Sequence, residues 1–141
     1  MEADSNALLT FKNGINYSFI FSYSLCFHTG LNFFVYDFEI LEIGRELETR
    51  FTCLFKIMDN GKDLKSIDLF PPEYYKGKGI SIAVILKAKD LFNKRIISSS
   101  NDKETHSGEM RWEDATEKVW KRMVANGLAK YDHENDYYYT L

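Results

Sequence analysis

Two lysines interleaved with two glycines, Lys76-Gly77-Lys78-Gly79, stand between a strand-forming run and the most apolar stretch of the chain. Those residue types at that spacing are suited to holding a phosphate. Glycine accepts the positive φ that turns successive backbone N–H groups toward one point, a helix start adds the positive end of its dipole, and lysines supply charge. An ordinary solvated turn has the same composition, so the elements on either side must decide. A second chemistry is acid–base. Glu39, Glu42, Glu46 and Glu48 form an acidic run that reads first as a solvated strand edge and turn; Glu39, on a strand, could attract or deprotonate an amine. Tyr131, Tyr137, Tyr138 and Tyr139 alternate near the C-terminal end, so some face solvent, and an exposed one such as Tyr131 could donate a proton. Ser98-Ser99-Ser100 reads as a polar loop. His28, His106 and His133 are scattered, and no metal centre is expected. Cys26 and Cys53 lack a CxxC or ligand pattern and read as reduced core residues.

The elements that position these groups follow from periodicity. Tyr17, Phe19, Phe21 and Tyr23 alternate with smaller residues, which predicts a strand over Asn16–Ser24. Further strands are expected over Leu31–Ile43, Glu48–Met58 and Leu64–Phe70, the last two joined by the turn Asp59-Asn60-Gly61-Lys62, giving an antiparallel meander. Pro71 and Pro72 end it, because neither can donate to a ladder. Ile80–Asn93 predicts a deeply packed helix, Lys94–Ser98 a short strand and Ser99–Glu109 a polar loop. Trp112, Ala115, Val119 and Met123 lie on one helical stripe, with Asp114→Lys118 and Glu117→Lys121 pairs on the other side. Asn126-Gly127 closes this second helix, and Leu128–Tyr131 and Tyr137–Leu141 form a terminal hairpin.

The chain of 141 residues is long enough for one core and too short for two ordinary domains, so 1–141 is expected to be a single domain. A formal charge of −3 gives no footprint for nucleic acid or an anionic membrane surface. The acidic start has no signal-peptide pattern and the early apolar run 15–27 is short and serine-containing, which points to a cytoplasmic protein with no membrane partner. The surplus of aromatic residues between Phe11 and Phe55 fits core packing, with an acceptor pocket or a strand-mediated homodimer as further uses.

The order β, β, β, β, glycine loop, helix, β, helix, β, β resembles the GNAT superfamily of N-acetyltransferases. That family's phosphate loop has the form Gln/Arg-x-x-Gly-x-Gly/Ala, often after Pro-Glu-Tyr; here Pro72-Glu73-Tyr74 precedes Lys76-Gly77-Lys78-Gly79-Ile80-Ser81. Lys76 stands for the Gln/Arg, Gly79 for the central Gly and Ser81 for the last small residue. The resemblance covers roughly Leu31 to the C-terminus. It implies an α/β (α+β) fold with a mixed, mostly antiparallel sheet, a splayed parallel pair and two main helices. It further implies acetyl-CoA as acyl donor, its pyrophosphate on Lys76, Gly77, Lys78, Gly79, Ile80 and Ser81, and its pantetheine arm along the strand edge at Ile67, Leu69 and Phe70. Acetyl transfer to a small-molecule or protein amine is the implied reaction. The family's Tyr acid in the last helix falls here on Val119 or Met123, and the helices between its first two strands have no counterpart between Phe27 and Gly30. Two alternatives stand: a non-catalytic ligand-binding or interaction module on the same scaffold, and a winged-helix nucleic-acid-binding protein, whose phosphate contacts would be Lys118, Lys121, Arg122 and Lys130.

Overall fold

Asn13 and Gly14 both hold left-handed φ, +54° and +80°, and reverse the chain between two strands that pair in strict register from Lys12↔Ile15 to Ala7↔Ile20. Positive φ at both central residues is the geometry whose twist matches flanking strands. This opens a computed structural model that describes residues 7–30, 32–44, 50–68, 75–100 and 113–141. The strands are β1 (Ala7–Lys12), β2 (Ile15–His28), β3 (Phe33–Glu42), β4 (Phe51–Ile57), β5 (Asp63–Asp68), β6 (Arg95–Ser98), β7 (Ala129–Asp132) and β8 (Tyr137–Thr140). Helix α1 (Ile80–Phe92) joins β5 to β6. A second helix, α2 (113–125), precedes β7.

All eight strands form one sheet in the order β1-β2-β3-β4-β5-β6-β8-β7. Every pairing is antiparallel except β5 with β6. The expected fold class is therefore observed as an α+β fold with a mixed sheet, one parallel pair and two helices. The expected meander is present as β2–β5, and the two main helices and the terminal hairpin fall where periodicity puts them. Strand β1 is the element that was not expected. Its signal was the Asn13-Gly14 pair between two alternating runs. β2 also runs four residues past the expected Ser24.

Register explains the core. Phe21, Ile40 and Phe51 stand side by side on one face, as do Tyr23, Phe38 and Cys53. Helix α1 covers this face with Ile80, Val84, Ile85 and Ala88, a stripe of helical spacing. Phe92, at its end, stacks on Tyr36 and meets Tyr23 and Phe38 edge-on. Each fully buried aromatic or aliphatic side chain contributes about 1.5–3 kcal/mol. Cys53 belongs to this core, whereas Cys26 lies on the opposite face of the sheet and is only partly buried, so the reading of both as core residues is corrected for Cys26.

α2 is not a uniform α-helix. Thr116–Trp120 is a π segment in which the Lys121 N–H donates to the Thr116 carbonyl, between α-helical Glu113–Ala115 and Lys121–Ala125. The wider turn brings Val119, Trp120 and Met123 into the core, with Trp120 stacked on Tyr138. Its end is closed as expected: Gly127 takes φ +74°, the Leu128 N–H donates to the Met123 carbonyl and the Gly127 N–H to that of Val124. The expected Glu117→Lys121 pair forms at 2.8 Å. Trp112, the Asp114 side chain and most of the expected polar loop lie outside the described residues.

The parallel pair starts with a clamp. Asp63 stands directly beside Arg95, and its carboxylate accepts from Arg95 Nε at 2.8 Å, Arg95 Nη2 at 3.0 Å and Asn60 Nδ2 at 2.9 Å. Burial alone would raise the Asp63 pKa, but the bonds from Arg95 and Asn60 and the charges of Arg95 and Lys62 outweigh it and hold the carboxyl below the usual range. A depressed carboxylate stabilises the fold above its unfolded pKa and loses that contribution as pH falls through its folded value. Asp63→Asn should cost about 2–3 kcal/mol at pH 7, less than a fully buried pair because Arg95 is partly exposed. In urea unfolding the deficit should shrink below about pH 4.

Candidate functional site

The glycine loop is built on a buried tyrosine. Tyr75 is fully buried, packs edge-on against Phe19 and accepts a 3.0 Å hydrogen bond from the Glu42 N–H at the end of β3. Three residues later Lys78 reaches the same place: its Nζ lies 2.8 Å from Glu42 Oε1 and 5.1 Å from the centre of the Tyr17 ring. Between and beyond them Gly77 and Gly79 take φ of +78° and +76°. A side chain at Gly77 would project into open space, and one at Gly79 would touch Thr10 and Lys12 of β1. The loop is thus held to the sheet at both ends.

Helix α1 begins at once after Gly79, and the first helical bond is the Ala83 N–H to the Gly79 carbonyl. No side chain caps the start, and its first turn carries no acidic residue. The N–H groups of Ile80, Ser81 and Ile82 therefore have no intrahelical acceptor, and the positive end of a 13-residue helix is not neutralised from within. Ile80 and Ser81 have buried side chains, so what they offer an anion is backbone.

On the sheet side, β5 and β6 pair only over Asp63–Ser66 and Arg95–Ser98. At that point the register between β4 and β5 also shifts, leaving Ile67 as the extra residue between Ser66 and Asp68. Ile67 is buried; Leu69 and Phe70, the other expected strand contacts, lie outside the described residues. The end of the parallel pairing is filled by hydroxyls. Ser99 Oγ donates to the Ser66 carbonyl at 3.3 Å, Ser98 Oγ donates to the Ser99 carbonyl at 2.9 Å, and the Tyr138 N–H donates to Ser98 Oγ at 2.9 Å. Ser98 and Ser99 are buried and bridge strands. Reading 98–100 as a plain loop missed this, since Ser66 and Tyr138 are distant in sequence.

The site residues expected from sequence fall into two groups. Lys76, Gly77, Lys78, Gly79, Ile80 and Ser81 are contiguous and share the loop and helix start. Glu39 and Tyr131 do not join each other. Glu39 is paired with Arg50 at 2.7 Å on β3. Tyr131 lies on β7, five strand spacings away, roughly 24 Å. Its hydroxyl donates to Asp136 at 2.6 Å within its own hairpin. Glu46 and Glu48 lie outside the described residues.

Comparison with protein families, curated proteins and solved structures finds no match. The residues themselves must carry the functional reading. Among the described residues no group of His, Cys, Asp and Glu could hold a metal ion, and no helix is long and apolar enough to cross a membrane. Replacing Tyr75 by Phe removes the acceptor for the Glu42 N–H while keeping the buried ring. It should cost about 1 kcal/mol and raise amide hydrogen exchange at 76–79 before it affects the sheet.

Proposed function

We propose that this protein binds acetyl-CoA and transfers its acetyl group to an amine, on an acetyltransferase-like scaffold related to the GNAT superfamily. The observation that carries this reading is the start of α1: three backbone N–H groups without helical acceptors, two left-handed glycines, and no acidic residue or side-chain cap in the first turn of the helix. Such a site fits a pyrophosphate. Lys76 would add charge, and Lys78 would do so by sharing or leaving Glu42. The parallel pair β5–β6, which stops pairing at Ser66 and Ser98 close to the register shift at Ile67, supports a pantetheine arm that hydrogen-bonds to a strand edge as another strand would.

Transfer forms a bond between the amine nitrogen and the thioester carbonyl carbon and breaks the carbon–sulfur bond. The amine loses a proton and the CoA thiolate gains one. With Val119 and Met123 buried where the family places an acid, and with Glu39 and Tyr131 held elsewhere, proximity and a backbone N–H on the thioester oxygen are the contributions available from the described residues.

Val119 and Met123, which stand at the acid positions among the described residues, favour a second reading, a non-catalytic CoA-binding module. The tight connection from β2 to β3, where the Asn32 N–H donates to the His28 carbonyl, also leaves no helices there to shape an acceptor site. The winged-helix alternative has less behind it, because β8 of the C-terminal hairpin is paired to β6 within the sheet.

Titration calorimetry with acetyl-CoA and, separately, CoA should give micromolar binding of both. Gly79→Val, which forces a β-branched residue to φ +76°, should abolish it while lowering stability by only about 1–2 kcal/mol. Lys76→Ala should weaken it roughly tenfold, less at high salt. No binding by the wild type, or unchanged binding by Gly79→Val, overturns the assignment. Binding without thiol release in the presence of amines selects the module.

A further inference from the structure

β2 is fourteen residues long, and its two neighbours do not match it equally. β3 follows it from Phe19 to His28, whereas β1 covers only Ile15 to Ile20. Residues 21–28 therefore present one backbone edge that no described residue pairs with. Side chains on this segment alternate. Tyr23, Leu25 and Phe27 stand on the α1 side of the sheet, Tyr23 meeting Phe92 at the helix end, and are 44%, 57% and 45% exposed. Phe34, paired with Phe27 on β3, is 53% exposed and meets it edge-on. On the other face are the small Ser22, Ser24 and Cys26, followed by His28.

Native sheets protect such an edge with lysine, proline or a bulge. This one has none of them: from Ile15 to Phe27 the sequence contains no charged residue. We infer that the open edge of β2 around residues 24–28 is a homodimer interface, in which β2 pairs antiparallel with β2 of a second copy and the two sheets become continuous.

Three features favour a second copy over other occupants. A two-fold axis normal to the sheet sets like faces together, so the apolar side chains of one copy meet those of the other and Cys26 meets Cys26. An uncharged strand pairs with itself at no electrostatic cost. The pairing is also isologous, because each copy offers the same β2 segment, so this contact closes at two copies. Residues 1–6 are the competing occupant. Continuing the β1 register would set Asp4 against Tyr23 and Glu2 against Leu25, acids against apolar side chains. The start of β1 opposite Ile20 blocks that end of the edge and shifts the axis toward His28. Centred on Cys26, the pairing runs between Ser24 and His28 and places Leu25 of one copy opposite Phe27 of the other.

Light scattering on the full chain should give the mass of a dimer at micromolar concentration. Leu25→Lys/Phe27→Lys, at two exposed positions, should be monomeric with an unchanged circular dichroism spectrum. Mild oxidation should link the wild-type pair covalently, and Cys26→Ser should abolish the link, since Cys53 is buried. A monomeric wild type, a dimer that survives the double lysine variant, or the absence of a Cys26 link overturns the inference. So does a monomer that dimerises only when residues 1–6 are deleted, because those residues would then be what covers the edge.

Discussion

The parallel pairing of β5 with β6, clamped where it starts by Asp63 and Arg95, is the constraint on which the arrangement depends. Two parallel neighbours cannot be joined by a hairpin, so the chain must leave β5 at one end of the sheet and re-enter β6 at the other. α1 makes that crossing, and its N-terminus falls at the end where the pairing stops. The ion pair thus acts at a distance. It holds the strands together at one end, while at the other the ladder gives way to Ser66, Ser98 and Ser99.

The rest of the sheet supplies weight to that arrangement. β2, β3 and β4 offer α1 an aromatic floor in which register puts large side chains beside one another, and Phe92 locks the far end of the helix against Tyr36. The β6–β8 seam is thinner. Only Ile97 and Tyr139 pair through the backbone ladder, and side chains complete the rest: the Ile96 N–H donates to Thr140 Oγ1 at 3.0 Å, and Arg95 lies 4.9 Å from the centre of the Tyr139 ring. The C-terminal hairpin is therefore attached by hydroxyls and a cation over an aromatic ring as much as by strand pairing.

How legible this was depended on the range of each interaction. The helix α1, its glycine start, the αL closure at Gly127 and the turn at Asn60-Gly61 are local, and residue types a few positions apart predict them. β1 is equally local through Asn13-Gly14, but its alternation is short and follows an acidic start, which weakens the signal. The π segment at Thr116–Trp120 leaves no mark in a stripe read at 3.6 residues per turn, because its extra residue is revealed only by the Lys121–Thr116 bond. The pairing of Lys78 with Glu42, the burial of Tyr75 and the serine bridge to Ser66 join residues more than thirty positions apart. Nothing in a local pattern shows that the Lys78 ammonium reaches Glu42.

The buried Tyr75 has a consequence for kinetics. A glycine-rich loop free in solution samples many backbone states, and a ligand that needs one of them must wait for it and lose the others on binding. Here the ring of Tyr75 and the ammonium of Lys78 fasten the loop to the end of β3 during folding, so the two glycines are confined before any ligand arrives. A ligand that required this one backbone conformation would be captured without waiting for a flexible chain to find it.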